Sequence, residues 1–179
     1  MSRYMLDRCG QKKFKLSVMG GAGVGKTCII QRFISDKFIE EHESTVEDMY
    51  QAKYTNQSGA VMLIDMLDTT GSYSFPVMRH LAIQTSDAFV LVFDVNNKAS
   101  FEEVRILHKE IIKQRCSKNK TKVNLVVPIM IVANKVDSDA TERCMPKEIS
   151  QAIVELDWDC KYEECSAKNN INLHKMFHK

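Results

Sequence analysis

Apolar residues recur along this chain in short runs separated by longer mixed segments. The runs "FKLSVM" (14–19), "VMLIDML" (61–67), "AFVLVFDV" (88–95) and "VPIMIVA" (127–133), with a shorter "KYEECSA" (161–167), read as β-strands. Segments of helical period lie between most of them, which predicts an α/β sheet with mainly parallel strands. One stretch differs: "YQAKYTN", Tyr50 to Asn56, alternates polar and apolar residues and joins the next strand through "QSG". That pattern predicts an antiparallel hairpin. A capping box of Ser100 and Glu103 predicts a helix running toward Cys116, and Pro146 suits the first turn of another through about Leu156. The polar stretch Ser117–Asn124 reads as a loop.

A chain of 179 residues, 44% hydrophobic and 27% charged, suits one globular domain with a full core. Its net charge of +2 does not point to nucleic acid. Lys113, Arg115, Lys118, Lys120 and Lys122 crowd one segment, read as a solvated loop. The start, "MSRYMLDRCGQKK", lacks the apolar core of a signal peptide, and Ser2 stands where a myristoylation signal needs glycine. The longest apolar run, Leu125 to Ala133, is too short to span a bilayer. A cytoplasmic location follows as an expectation. The six cysteines, Cys9, Cys28, Cys116, Cys144, Cys160 and Cys165, show no CxxC spacing and read as reduced thiols. Without a neighbouring His or cationic cluster in sequence, Cys28, Cys160 and Cys165 do not read as nucleophiles. His174 and His178 share a helical spacing but lack a third ligand, which reads as an exposed face. Trp158 reads as packing.

The first strand runs into "GGAGVGKT", Gly20 to Thr27, which then opens a helical pattern. G-x-x-x-x-G-K-[ST] in that setting is a phosphate-binding loop. Backbone N–H groups of Gly21, Ala22, Gly23, Val24, Gly25, Lys26, Thr27 and Cys28 can wrap a polyphosphate at a helix N-terminus. Lys26 reaches the β and γ phosphates, and the Thr27 hydroxyl suits Mg²⁺. Farther along, Asn134, Lys135 and Asp137 in "NKVD" follow a strand, at the edge where open α/β sheets bind ligands. A carboxylate at 137 can accept two N–H donors of guanine, where adenine would oppose it with an acceptor. "SAK", Ser166, Ala167 and Lys168, follows the last strand, and the Ala167 N–H could meet the guanine O6.

Phosphate loop, "ESTVEDMY", "DTTG", "NKVD" and "CSAK", in this order, resemble a small GTPase of the Ras branch over nearly the whole chain. "DTTGSYSFPVMRHLAIQTSDAFVLVF" and the "SKNKT" loop are most similar to the Dexras/Rhes-like subgroup, with Di-Ras second. The resemblance implies a three-layer P-loop G domain over 13–179 after a tail at 1–12, its last helix cut short. Its sheet would have six mostly parallel strands with one antiparallel edge hairpin and helices on both faces. It implies GTP and GDP as ligands with Mg²⁺. Thr45 would close on Mg²⁺ and the γ phosphate, Asp68 would hold the metal through water, the Gly71 N–H would touch the γ phosphate, and Phe38 would stack on guanine. It also implies a monomer that meets effectors through His42, Glu43, Ser44, Val46, Glu47, Asp48, Met49 and Tyr50. An exchange factor, a GTPase-activating protein and attachment to the cytoplasmic face of the plasma membrane through a tail outside these residues complete the expectation.

Two positions depart from that pattern. Ser72 stands where active relatives carry the glutamine that orients the attacking water, and Ala22 stands where glycine is usual. A serine hydroxyl stops short of the water, and a methyl at 22 crowds an arginine finger, so hydrolysis should be slow. Alternatively Ser72 is a tolerated loop residue and a neighbour or partner positions the water. The extreme reading is a constitutively GTP-loaded interaction module governed by abundance or exchange. In the effector segment, His42 and Ser44 replace the usual tyrosine and proline.

Overall fold

A computed structural model describes residues 5–6, 12–38, 47–55, 61–69, 76–117, 127–173 and 176. The strands are β1 (Met5–Leu6), β2 (Lys12–Gly20), β3 (Glu47–Thr55), β4 (Val61–Thr69), β5 (Ala88–Asp94), β6 (Ile129–Asn134) and β7 (Lys161–Glu164). The helices are α1 (Lys26–Ser35), α2 (Pro76–Thr85), α3 (Lys98–Ser117) and α4 (Lys147–Ala152). The expected six strands run in the order β3-β4-β2-β5-β6-β7, and β1 adds a seventh by pairing antiparallel with Lys12 and Lys13. β3 and β4 form the antiparallel pair that the alternation at Tyr50–Asn56 implies, in register from Glu47↔Thr69 to Thr55↔Val61. The other central pairings are parallel.

β5 shows why the sheet is covered on both faces. Its run is apolar without alternation because both sets of side chains are buried. Phe89, Leu91 and Phe93 enter one cluster with Ile83 of α2, Phe101, Val104, Leu107 and Ile111 of α3, and Val154. Val90 and Val92 enter the other with Ile29 and Ile30 of α1, Met66, Val132 and Leu173. Each such buried side chain contributes about 1.5–3 kcal/mol relative to exposure. The parallel registers bring the carboxyl ends of β2, β4, β5, β6 and β7 to one edge, with Gly20 beside Val92, Asp94 beside Asn134 and Ala133 beside Glu164.

Two helix starts differ from the sequence reading. α3 is opened by Asn97, whose Oδ1 accepts from the N–H of Ala99 at 3.0 Å and of Ser100 at 3.4 Å. Ser100 already lies inside the first turn, its hydroxyl donating to the Asn97 carbonyl at 2.6 Å. The expected capping box is therefore absent, and the Glu103 carboxylate is turned to the phosphate loop instead. Pro146 is the residue before α4 rather than within it, and α-helical bonding stops at Ala152. Ile153–Asp157 continues as a π turn, in which the Trp158 N–H donates to the Ile153 carbonyl at 3.2 Å.

Beyond that turn, Trp158 stacks between Phe101, at 5.7 Å, and His108, at 4.8 Å. His108 Nε2 lies 3.6 Å from Cys160 Sγ, so this cysteine does have a histidine neighbour. Burial nevertheless pushes the Cys160 thiol up to about 11, and it is no nucleophile. His108 is buried too, which holds it below its ordinary 6.5. The unfolded chain therefore takes up this proton more readily, and stability should fall as pH drops through about 6.5, levelling off below the folded-state value. Urea unfolding from pH 7.5 to 5 should show a smaller decline in His108→Gln than in the wild type.

The basic segment is also not a uniform solvated loop. Arg115 lies on α3 and donates to the carbonyls of Gln84, at 3.2 Å, and Ser86, at 2.8 Å, tying α3 to the end of α2. Lys118, Lys120, Lys122, most of the Ser117–Asn124 stretch and the "QSG" turn lie outside the described residues. His174 and His178 do as well. Among the described residues, no helix is long and apolar enough to cross a membrane.

Candidate functional site at the carboxyl edge

β2 ends at Gly20, and α1 begins at Lys26, so the phosphate loop bridges a strand end and a helix N-terminus. The turn into the helix passes through Gly25 at φ +94°, where a side chain would be strained and its Cβ would also overlap Asn134 Nδ2. Ala22 and Gly23 are exposed at the loop's tip, while Val24 is buried beneath it. Lys26 folds back into the loop and donates to the carbonyls of Gly20, at 3.1 Å, and Gly21, at 2.8 Å. Burial lowers its pKa, with the Asp68 and Glu103 carboxylates acting in the opposite direction.

Beside the lysine, the Thr27 hydroxyl donates to Asp68 Oδ2 at 2.6 Å. Asp68 is fully buried, and its Oδ1 has no hydrogen-bond partner among the described residues. Burial raises the pKa of this carboxyl, against the opposing effects of the Thr27 hydrogen bond and of Lys26. A hydroxyl and a carboxylate with an unsatisfied buried oxygen are hard donors of the kind Mg²⁺ takes while keeping several waters. Thr27 and Asp68 would hold it, and it would neutralise phosphate charge there. Thr45, Gly71 and Ser72 lie outside the described residues.

At the other end of the edge, Asn134 is 2% exposed and joins three segments. Its Nδ2 donates to the Val24 carbonyl at 2.9 Å, and its Oδ1 accepts from the Ala167 N–H at 3.2 Å and from the Cys165 thiol at 3.5 Å. The Ala167 N–H, expected to face a base, is thus bonded within the protein here. Ser166 donates through Oγ to Asp137 Oδ1 at 2.5 Å and accepts from the Asn169 N–H at 2.9 Å. The Lys135 ammonium lies 2.7 Å from Asp94 Oδ2.

Arg32 of α1 is a site residue that motif reading missed. Its Nε donates to the Ala167 carbonyl at 3.0 Å and its Nη2 to the Lys168 carbonyl at 2.8 Å. The same guanidinium lies 5.8 Å from the Phe38 ring centroid, so one side chain joins the "SAK" turn to the segment after α1. Its only signal in sequence was a cation in the last turn of a helix. Cys28, half-buried on α1, has its thiol pushed up by burial.

Residues 15–179 match the Ras family. This chain belongs to the Ras family. It is 38% identical over 169 residues to GTP-binding protein Rhes of Homo sapiens, covering 94% of this chain and 63% of that relative. It is 35% identical over 167 residues to Protein ras-1 of Neurospora crassa, covering 93% and 74%. To GTP-binding protein Di-Ras1 of Homo sapiens it is 34% identical over 164 residues, covering 92% and 78%. The chain thus spans less than two thirds of the length of Rhes. Likeness to Rhes and Di-Ras1 agrees with the subgroup named from the motifs. The phosphate loop, "NKVD" and "SAK" follow β2, β6 and β7, so these three motifs leave the carboxyl edge of one sheet, where open α/β folds bind ligands.

Of the remaining expected residues, Asp48, Met49 and Tyr50 lie on β3, the outer strand of the sheet, with Asp48 and Met49 exposed. Glu47 begins that strand, and His42, Glu43, Ser44 and Val46 lie outside the described residues.

Proposed function

We propose that this chain is a guanine-nucleotide switch that binds GTP and GDP with Mg²⁺ and hydrolyses GTP slowly. The observation that carries this reading is the pair of hydrogen bonds by which Asn134 donates to the Val24 carbonyl of the phosphate loop and accepts from the Ala167 N–H of the "SAK" turn. One buried amide thereby ties the phosphate loop to the turn whose Ser166 holds Asp137, which supports a single nucleotide held by both. The printed names of Rhes and Di-Ras1 as GTP-binding proteins support the same ligand. Slow turnover rests on Ser72 and Ala22, since phosphoryl transfer depends on positioning and charge. The edge of β3, outermost among the described strands and with Asp48 and Met49 exposed, suits strand addition by a basic effector protein. Exchange and activating factors would then set the loaded fraction, at the cytoplasmic face of a membrane.

The test is the nucleotide released from gently purified protein. GTP should dominate, and Ser72→Gln should shift the pool toward GDP, with single-turnover hydrolysis faster by about tenfold or more. Bound GDP that is unaffected by Ser72→Gln would overturn slow turnover, and bound ATP would overturn the base assignment.

A further inference from the structure

Glu103 stands on α3, one position from the buried stripe of Phe101, Val104 and Leu107. Its Oε2 is buried and lacks a hydrogen-bond partner among the described residues. The same oxygen sits against Gly21 of the phosphate loop, so close that a Cβ at Gly21 would overlap it. A buried carboxylate oxygen without a donor is unfavourable unless a cation lies near. The Gly21 carbonyl accepts from the Lys26 ammonium at 2.8 Å, so carboxylate and ammonium converge on one loop residue. Asp68 and Glu103 differ in their other bonds. Asp68 is bonded to Thr27 and suited to a metal, whereas Glu103 is left with the loop and its lysine.

We propose that Glu103 is an exchange-setting residue, a counter-charge to Lys26 when the cradle is empty and a repulsive neighbour of the phosphates when it is filled. This rests on the guanine-nucleotide reading of the same site. In the empty cradle, Lys26 has lost its water and bonds neutral carbonyls, so a nearby carboxylate stabilises it. Once a polyphosphate is bound, the ligand supplies that negative charge, and Glu103 becomes a like charge beside it. Both effects favour the empty form, and the repulsion grows with the number of phosphate charges near Lys26. Gly21 is the structural condition, since any side chain there would occupy the place of the carboxylate.

The experiment measures release of fluorescent GMP, GDP and a non-hydrolysable GTP analogue at fixed Mg²⁺ from wild type, Glu103→Gln, Glu103→Ala and Glu103→Asp. Both neutral variants should release GDP about tenfold more slowly and the GTP analogue more slowly still, with GMP changed by less than about threefold. Glu103→Asp should stay within about threefold of wild type. Nucleotide-free Glu103→Gln should also melt below nucleotide-free wild type. Release unchanged in both neutral variants, or slowed equally for all three nucleotides, would overturn the proposal while leaving the nucleotide site standing. A wild type that binds no guanine nucleotide would overturn both.

Discussion

Asp137→Asn should lose guanine nucleotides and gain xanthine nucleotides. The carboxylate is held from one side by Ser166, whose hydroxyl donates to Oδ1 at 2.5 Å, and that bond fixes the plane of the group. An amide placed there keeps the Ser166 bond through its own oxygen. Its other atom changes from an acceptor to a donor. Guanine presents two N–H groups to this place, so one would now face a donor, and a buried mismatch of this kind lowers affinity by about 10³ to 10⁴. Xanthine carries a carbonyl where guanine carries its exocyclic amine, and it should recover most of that loss. Titration of wild type and variant with GDP and with xanthosine diphosphate measures the exchange directly. If the variant binds both diphosphates as the wild type does, Asp137 does not read the base.

The same reasoning shows why some of this site was legible in sequence and some was not. The phosphate loop and "NKVD" are local. Their glycines, lysine and carboxylate sit within a few positions of each other, directly after apolar runs that end at one sheet edge. The β3–β4 hairpin was legible for a related reason, since period two against a neighbouring apolar run leaves few other pairings. Arg32, Glu103 and the His108–Cys160 neighbours act across the fold, and no spacing announces a contact between residues tens of positions apart. Glu103 was the hardest to read. "SFEE" satisfies a capping box locally, yet Asn97 three residues earlier has a free side-chain carbonyl and starts the helix first. Once α3 begins at Lys98, Glu103 is turned away from the cap and against Gly21. A local motif lost to a competing cap one turn upstream. The amphipathic stripe of Phe101, Val104 and Leu107 held the corrective clue, because an acid at its edge must find either solvent or a polar neighbour.

Asn134→Asp should cost more stability than any other single change proposed for this chain, and the loss should shrink in acid. The wild-type amide donates to the Val24 carbonyl and accepts from the Ala167 N–H and the Cys165 thiol, all in a site with 2% exposure. A carboxylate can still accept from Ala167 and Cys165. It has nothing to donate to Val24, and it sets a buried negative charge against a carbonyl oxygen. An uncompensated buried charge of this kind lowers stability by about 3–5 kcal/mol, equivalent to a fall in Tm of about 10 °C for a domain this size. The phosphate loop and the "SAK" turn would lose their common tie, so nucleotide release should accelerate as well. The pH dependence has a definite sign. Burial raises the folded-state pKa of the new carboxyl above its unfolded value, so the folded state binds the extra proton and the deficit grows as pH rises. Lowering pH from 7 toward about 4.5 should therefore narrow the gap between variant and wild type, because a protonated carboxyl can donate to Val24 again. Asn134→Ala removes the same tie without adding a charge, so its deficit should stay constant over that range. Parallel curves for Asn134→Asp and wild type would mean that the buried amide does not bridge the two loops.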